Sequence, residues 1–285
     1  MNDARPAPSA GTGWPAWGLT FCLLALAGAA LCVPAFSVFT RPAYRRFIFL
    51  GLPLAVAAVG FLFMWLSKVP LLRRPALLGR LGTILWTTLV IGAVGLNLSG
   101  VLMAYATGWT YFTYADHSLY VAMPRLLAWA LPVAWVLGVC WEWTLRRVLV
   151  GLWVRGNRAR LGWILAALLG LLLSAPQVVE GGRILSGAFT AAGLFRLVCM
   201  EAACTALALW GPGVLWSGLY RGLTLFFSVW ALNDWYSPLF PAANYVSVDA
   251  MNHLLYSTGP AAALVWLGIA SYRRNRNARS RRTEA

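Results

Sequence analysis

Two histidines, His117 and His253, are the whole imidazole supply of this 285-residue chain, and both stand in one small pattern. The first copy reads His117-Ser118-Leu119-Tyr120 with Pro124, the second His253-Leu254-Leu255-Tyr256 with Pro260. Each has an asparagine 20 residues upstream, Asn97 and Asn233, preceded by Leu96 and Leu232. The constant offset of 136 positions, from 117 to 253, marks one unit written twice. Carboxylates are almost as scarce, with eight Asp and Glu in all, among them Asp116, Glu201, Asp234 and Asp249. Such a set suits acid–base chemistry on an apolar molecule. A carboxylic acid stripped of water tends to keep its proton and can deliver it to an isoprenoid double bond. Faces of Trp and Tyr rings can stabilise the resulting cation, and a histidine can activate the water that captures it.

The chain carries no phosphate-cradling glycine loop, no Gly-x-Ser-x-Gly elbow and no dinucleotide fingerprint. Two histidines without carboxylate or thiolate partners at ligand spacing do not make an ordinary metal site. No cofactor and no metal are therefore expected. The five cysteines, Cys22, Cys32, Cys140, Cys199 and Cys204, fall in apolar stretches, where they act as small hydrophobes rather than as a disulfide framework.

The elements that must hold these groups are read from composition. Apolar residues make up 60% of the chain and charged residues 11%, with a mean hydropathy of +0.70, which places it in lipid. Eight stretches are long enough to cross a hydrocarbon core, for which about 20 helical residues suffice. They run near Trp17 to Thr40, Phe47 to Ser67, Leu81 to Ala106, Leu119 to Trp141, Leu161 to Val179 and Leu254 to Tyr272, with two more between Ala188 and Phe240 that divide near Gly211 to Gly213. The expected fold is all-α: a polytopic membrane bundle of about eight transmembrane helices in two four-helix repeats. Residues 1–16 form an N-terminal tail, 17–143 the first repeat, 144–160 a basic inner loop, 161–272 the second repeat and 273–285 a basic C-terminal tail.

A net charge of +15 raises the question of nucleic acid, but the basic residues lie between spans rather than in one aromatic-lined patch. With both termini inside, 17 of the 23 lysines and arginines fall on inner segments, including Lys68, Arg146, Arg147, Arg155, Arg158, Arg160 and Arg221. This bias supports eight spans in a cytoplasmic membrane with both termini cytoplasmic. Six arginines from Arg273 to Arg282 read as an anchor to anionic headgroups. Membrane lipids are thus expected partners, and nucleic acid is not.

Polar groups within spans are expensive and therefore informative. Asn97 in the third span and Asn233 with Asp234 in the seventh sit at matching depth. Glu201 interrupts the sixth span, and Arg196, five positions away, lies on a different helical face, so Glu201 needs another partner. Plainer uses stand beside these. Amides hydrogen-bond between helices in membranes, Glu201 can serve as an interhelical anchor paired with an arginine, histidines at span ends suit the interface, and the 16 tryptophans and 10 tyrosines suit interfacial belts.

The segment Thr107-Gly108-Trp109-Thr110-Tyr111-Phe112-Thr113-Tyr114, continuing through Asp116 and His117 to Met123-Pro124 and Trp129, resembles a motif of membrane carotenoid-pathway proteins. The match is to the CruF-type carotenoid 1,2-hydratases, which are similar in arrangement to the membrane lycopene cyclases. It covers about 25 residues, with an echo around Asn244-Tyr245, His253 and Pro260. The resemblance implies cofactor-free addition of water to the 1,2 double bond of a lipid-soluble acyclic carotenoid end group, as in lycopene or a monocyclic carotene. It casts Asp234 or Glu201 as proton donor ahead of Asp116 and Asp249, with His117 or His253 orienting water. Asn97, Asn233, Trp109, Tyr111, Tyr114, Tyr120 and Tyr256 would line the substrate. The cyclases' Pro-x-Glu-Glu/Asp signature is absent, since the corresponding prolines are followed by Arg125-Leu126 and Ala261-Ala262, which counts against cyclisation. A carotenoid or terpenoid cyclase remains the alternative within this chemistry, and a transporter or non-catalytic membrane subunit the alternative outside it.

Overall fold

The computed structural model describes residues 13–32, 51–68, 82–94, 131–185, 187–225, 261–270 and 272–273, and at 177–185, 187–193, 196 and 225 it describes the backbone only. Every element among the described residues is helical. We label them α1 (Gly13–Cys32), α2 (Leu52–Ser67), α3 (Gly82–Val94), α4 (131–155), α5 (Ala159–Leu185), α6 (Gly187–Leu209), α7 (Val214–Leu225) and α8 (Ala261–Ala270). Two of them, α1 and the Ala159–Pro176 part of α5, are long and apolar enough to cross a membrane. The described parts of α2, α3 and α8 and the Leu197–Leu209 part of α6 are shorter apolar helices.

Local sequence explains several boundaries. Pro15 and Pro53 lie in the first turns of α1 and α2, where a missing N–H costs no helical bond. Helix α2 stops at Lys68, which adopts a left-handed conformation (φ 47°), and its N–H turns back to the carbonyls of Met64 and Trp65. The turn between α6 and α7 falls at residues 210–213, within the stretch where the hydropathy pattern divides.

The expected basic inner loop at 144–160 is corrected. Helix α4 passes through Trp143–Leu149 as a π-helical segment and continues in α-form to Arg155, so only the turn at residues 156–158 separates it from α5. Arg146 and Arg221, which the charge count puts on inner segments, lie inside the bundle at 3% and 0% exposure. Counting arginines between apolar runs assumes each is solvated. These two are solvated by carboxylates instead.

Helices α1, α2, α4 and α5 share one apolar cluster, built on Leu19, Leu23, Leu52, Val56, Trp141, Leu145, Leu169 and Leu173. Helices α3, α6, α7 and α8 share a second, around Val90, Met200, Cys204, Leu207, Tyr220 and Leu264. The clusters do not follow the two halves of the sequence, because α5 packs with the first half and α3 with the second. Trp17 near the start of α1 meets Trp153 near the end of α4 edge-on, with centroids 4.9 Å apart. Arg155 reaches the carbonyl of Ser67, the last residue of α2, at 3.1 Å. The start of α1, the ends of α2 and α4 and the start of α5 therefore share one end of the bundle, as antiparallel neighbours require.

Candidate functional site

Where the two clusters meet, four ionised side chains close a ring. Glu142 and Arg146 come from α4, Glu201 from α6 and Arg221 from α7, and none is more than 3% exposed. Arg146 donates from Nη1 to Glu142 at 2.9–3.0 Å and from Nη2 to Oε2 of Glu201 at 2.7 Å. Arg221 donates from Nε to Oε1 of Glu142 at 2.5 Å and from Nη2 to Oε1 of Glu201. Charges alternate around the ring and sum to zero. An isolated buried ion would cost several kcal/mol or more, so the ring is tolerable only as a complete set.

Glu142, just before the π-helical segment, and Arg146 within it are four residues apart, the spacing at which side chains on one helix meet, and they pair on the face turned to α6 and α7. Neighbours bond several of the remaining polar groups, while Arg146 Nε is buried without a partner. Ser217 donates to Oε2 of Glu142 at 2.5 Å, Arg221 Nη1 donates to Ser174 of α5 at 3.0 Å, and Arg146 Nη2 also reaches the hydroxyl of Thr205 at 3.0 Å. The Arg221 guanidinium lies 5.4 Å from the ring centroid of the buried Trp141, within cation–π range.

Small residues make room for the ring. A Cβ on Gly170 of α5 would lie within 2.7 Å of three atoms of the Glu201 carboxyl group, so that carboxylate occupies the space a larger residue would fill. Gly218 and Gly222 flank Arg221 on α7, and a side chain on either would strike the backbone of α4 around Ala134–Val139. Gly138 of α4 faces the same crossing. This is the small-xxx-small spacing by which helices approach at backbone distance in membranes, and it brings Arg221 within reach of Glu142.

Of the candidate residues read from sequence, Glu201 alone lies among the described residues. Its need for a partner distant in sequence is met by Arg146 and Arg221. Both its oxygens accept from guanidinium N–H groups, of Arg146 and Arg221, which ties the carboxyl group into the ring. Asp234, His117, His253, Asp116, Asn97, Asn233, Trp109, Tyr111, Tyr114, Tyr120 and Tyr256 lie outside the described residues. The ring is a positioning device: four helices, α4 to α7, are tied at one point.

Glu142, Arg146, Arg221 and their supports Gly170, Ser174, Thr205 and Ser217 escaped the sequence reading. One signal was available, the four-residue spacing of Glu142 and Arg146 inside an apolar run, which is ion-pair spacing on a helix. Comparison of the chain with protein-family models, with curated proteins and with solved structures gives no match.

Proposed function

We propose that the chain is a multi-pass enzyme of the cytoplasmic membrane, an eight-helix bundle with both termini inside, that adds water to the 1,2 double bond of an acyclic carotenoid end group. The structural observation that carries the membrane placement is an inversion of polarity. Large apolar side chains such as Phe21, Leu54, Trp65 and Trp266 point outward, while Glu142, Arg146, Glu201 and Arg221 are sealed inside. Water favours the reverse, and lipid favours this arrangement. The antiparallel order of α1, α2, α4 and α5 agrees with a chain that threads the bilayer back and forth.

The reaction itself is taken from the resemblance of Thr107 to Trp129 to the CruF-type hydratases. With Glu201 committed to the ionic ring, Asp234 is the acid assigned to protonate the alkene. The proton adds to one carbon of the double bond and leaves a tertiary cation on the other. Trp109 and the tyrosines Tyr111, Tyr114, Tyr120 and Tyr256 supply ring faces to that cation. Water attacks it and loses a proton to His117 or His253, so the balance is one water added and no group released. The ionic ring enters the mechanism by fixing α6 and α7, and Asp234 follows nine residues after the end of α7 in the sequence.

The test is expression of the full chain in a bacterium that accumulates lycopene. A product heavier by one water is expected. Product of unchanged mass but altered absorption would indicate cyclisation, and unchanged pigment with a correctly inserted protein would refute the reading.

A further inference from the structure

At the end of the bundle where α2 and α4 stop, cationic and apolar groups come together on the surface. Lys68, Arg155, Arg158 and Arg160 are all exposed there. The contact from Arg155 Nη1 to the Ser67 carbonyl, at 3.1 Å, holds its guanidinium one residue from Lys68. This contact uses one of the five N–H donors that an arginine carries. Beside the pair opens a groove of about 540 Å³ lined by Met64, Trp65, Leu66 and Lys68, with Trp65 75% exposed.

An apolar groove ending in paired cations is complementary to one kind of partner, a lipid with an anionic phosphate head. From this juxtaposition we infer that the end of α2 and the α4–α5 turn form a specific binding site for an anionic glycerophospholipid. One acyl chain lies along Met64, Trp65 and Leu66, and the phosphate sits between Lys68 and Arg155. Arg158 and Arg160, on the turn that follows, add to the local positive field. Trp65 is placed as interfacial tryptophans are, with its ring at headgroup level. The inference rests on the membrane placement proposed above but is independent of the reaction.

The full chain, purified in detergent, is mixed with equal amounts of phosphatidylglycerol and phosphatidylcholine, and bound lipid is counted by native mass spectrometry. Wild type is expected to retain phosphatidylglycerol preferentially. Each basic residue at an anionic surface contributes roughly a fivefold gain in binding, so Lys68→Gln and Arg155→Gln should each lower phosphatidylglycerol retention by about that factor and leave phosphatidylcholine unchanged. Trp65→Ala should lower retention of both. Arg158→Gln provides a second exposed charge variant that leaves the Ser67 contact intact, and it should lower phosphatidylglycerol retention to a smaller degree. Equal retention of the two lipids by wild type, or undiminished preference in the Lys68→Gln/Arg155→Gln double variant, would overturn the site. So would displacement of the lipid by excess inorganic phosphate, which would indicate a site for free anions. A chain that stays soluble without detergent would instead refute the membrane placement.

Discussion

Replacing Glu201 by glutamine removes one charge from the ring and keeps its shape. Arg146 and Arg221 then share Glu142 alone, and the core of the bundle carries a net positive charge with no more than 3% exposure to dilute it. Breaking a buried pair by removing one partner costs about 3–5 kcal/mol, a large part of the 5–15 kcal/mol by which proteins are typically stable. For a chain of this size that corresponds to a fall in melting temperature on the order of 10 °C. Arg146→Gln should cost a similar amount through the opposite imbalance, a net negative charge. The double variant Glu201→Gln/Arg146→Gln restores neutrality, so its loss should fall short of the sum of the singles by about 1–3 kcal/mol. The assay is thermal unfolding of the detergent-purified protein, followed by the fluorescence of its tryptophans, for wild type, both singles and the double. If Glu201→Gln melts within a degree of wild type, or if the two losses simply add, the ring does not exist as a charge-balanced unit.

Three further outcomes follow from the same geometry. Gly170→Ala places a methyl group against the Glu201 carboxyl and should lower stability by about 1–3 kcal/mol, as overpacking does, measured by the same unfolding assay. Gly222→Leu should cost more than Gly170→Ala, because its neighbour is the α4 backbone at Ala134 and Trp135 rather than a side chain that can turn away, and crosslinking between cysteines placed on α4 and α7 should show the crossing opened. Asp234→Asn should abolish hydration in the pigment assay while membrane expression stays at the wild-type level. Retained turnover would remove Asp234 from the mechanism.

Helical character was legible in the sequence because it follows from apolar run length, and α1, α2 and α5 lie on the runs that begin at Trp17, Phe47 and Leu161. Glu201 was legible as a group that needs a distant partner, since its nearest basic residue in the sequence, Arg196, is five positions away and not at ion-pair spacing. The identity of that partner was not legible. Arg146 is 55 residues from Glu201 and Arg221 is 20, and pairing across such separations is decided by which helices cross, not by spacing. The positive-inside rule misled in a specific way. It reads Arg146 as the start of a loop because arginine alone is too costly in lipid, and it cannot register that Glu142 and Glu201 remove that cost. The crossing that decides the matter was written in Gly218-Leu219-Tyr220-Arg221-Gly222, where small residues at i and i+4 bracket the arginine.

The most direct test of the proposed reaction is the origin of the oxygen in the product. Membranes containing the full chain, incubated with lycopene in water enriched in heavy oxygen and without added cofactor, should yield a carotenoid alcohol carrying the heavy isotope, and the Asp234→Asn protein should yield none. A product without the label, or recovery of unmodified lycopene from membranes in which the protein is correctly inserted, would contradict the hydratase account.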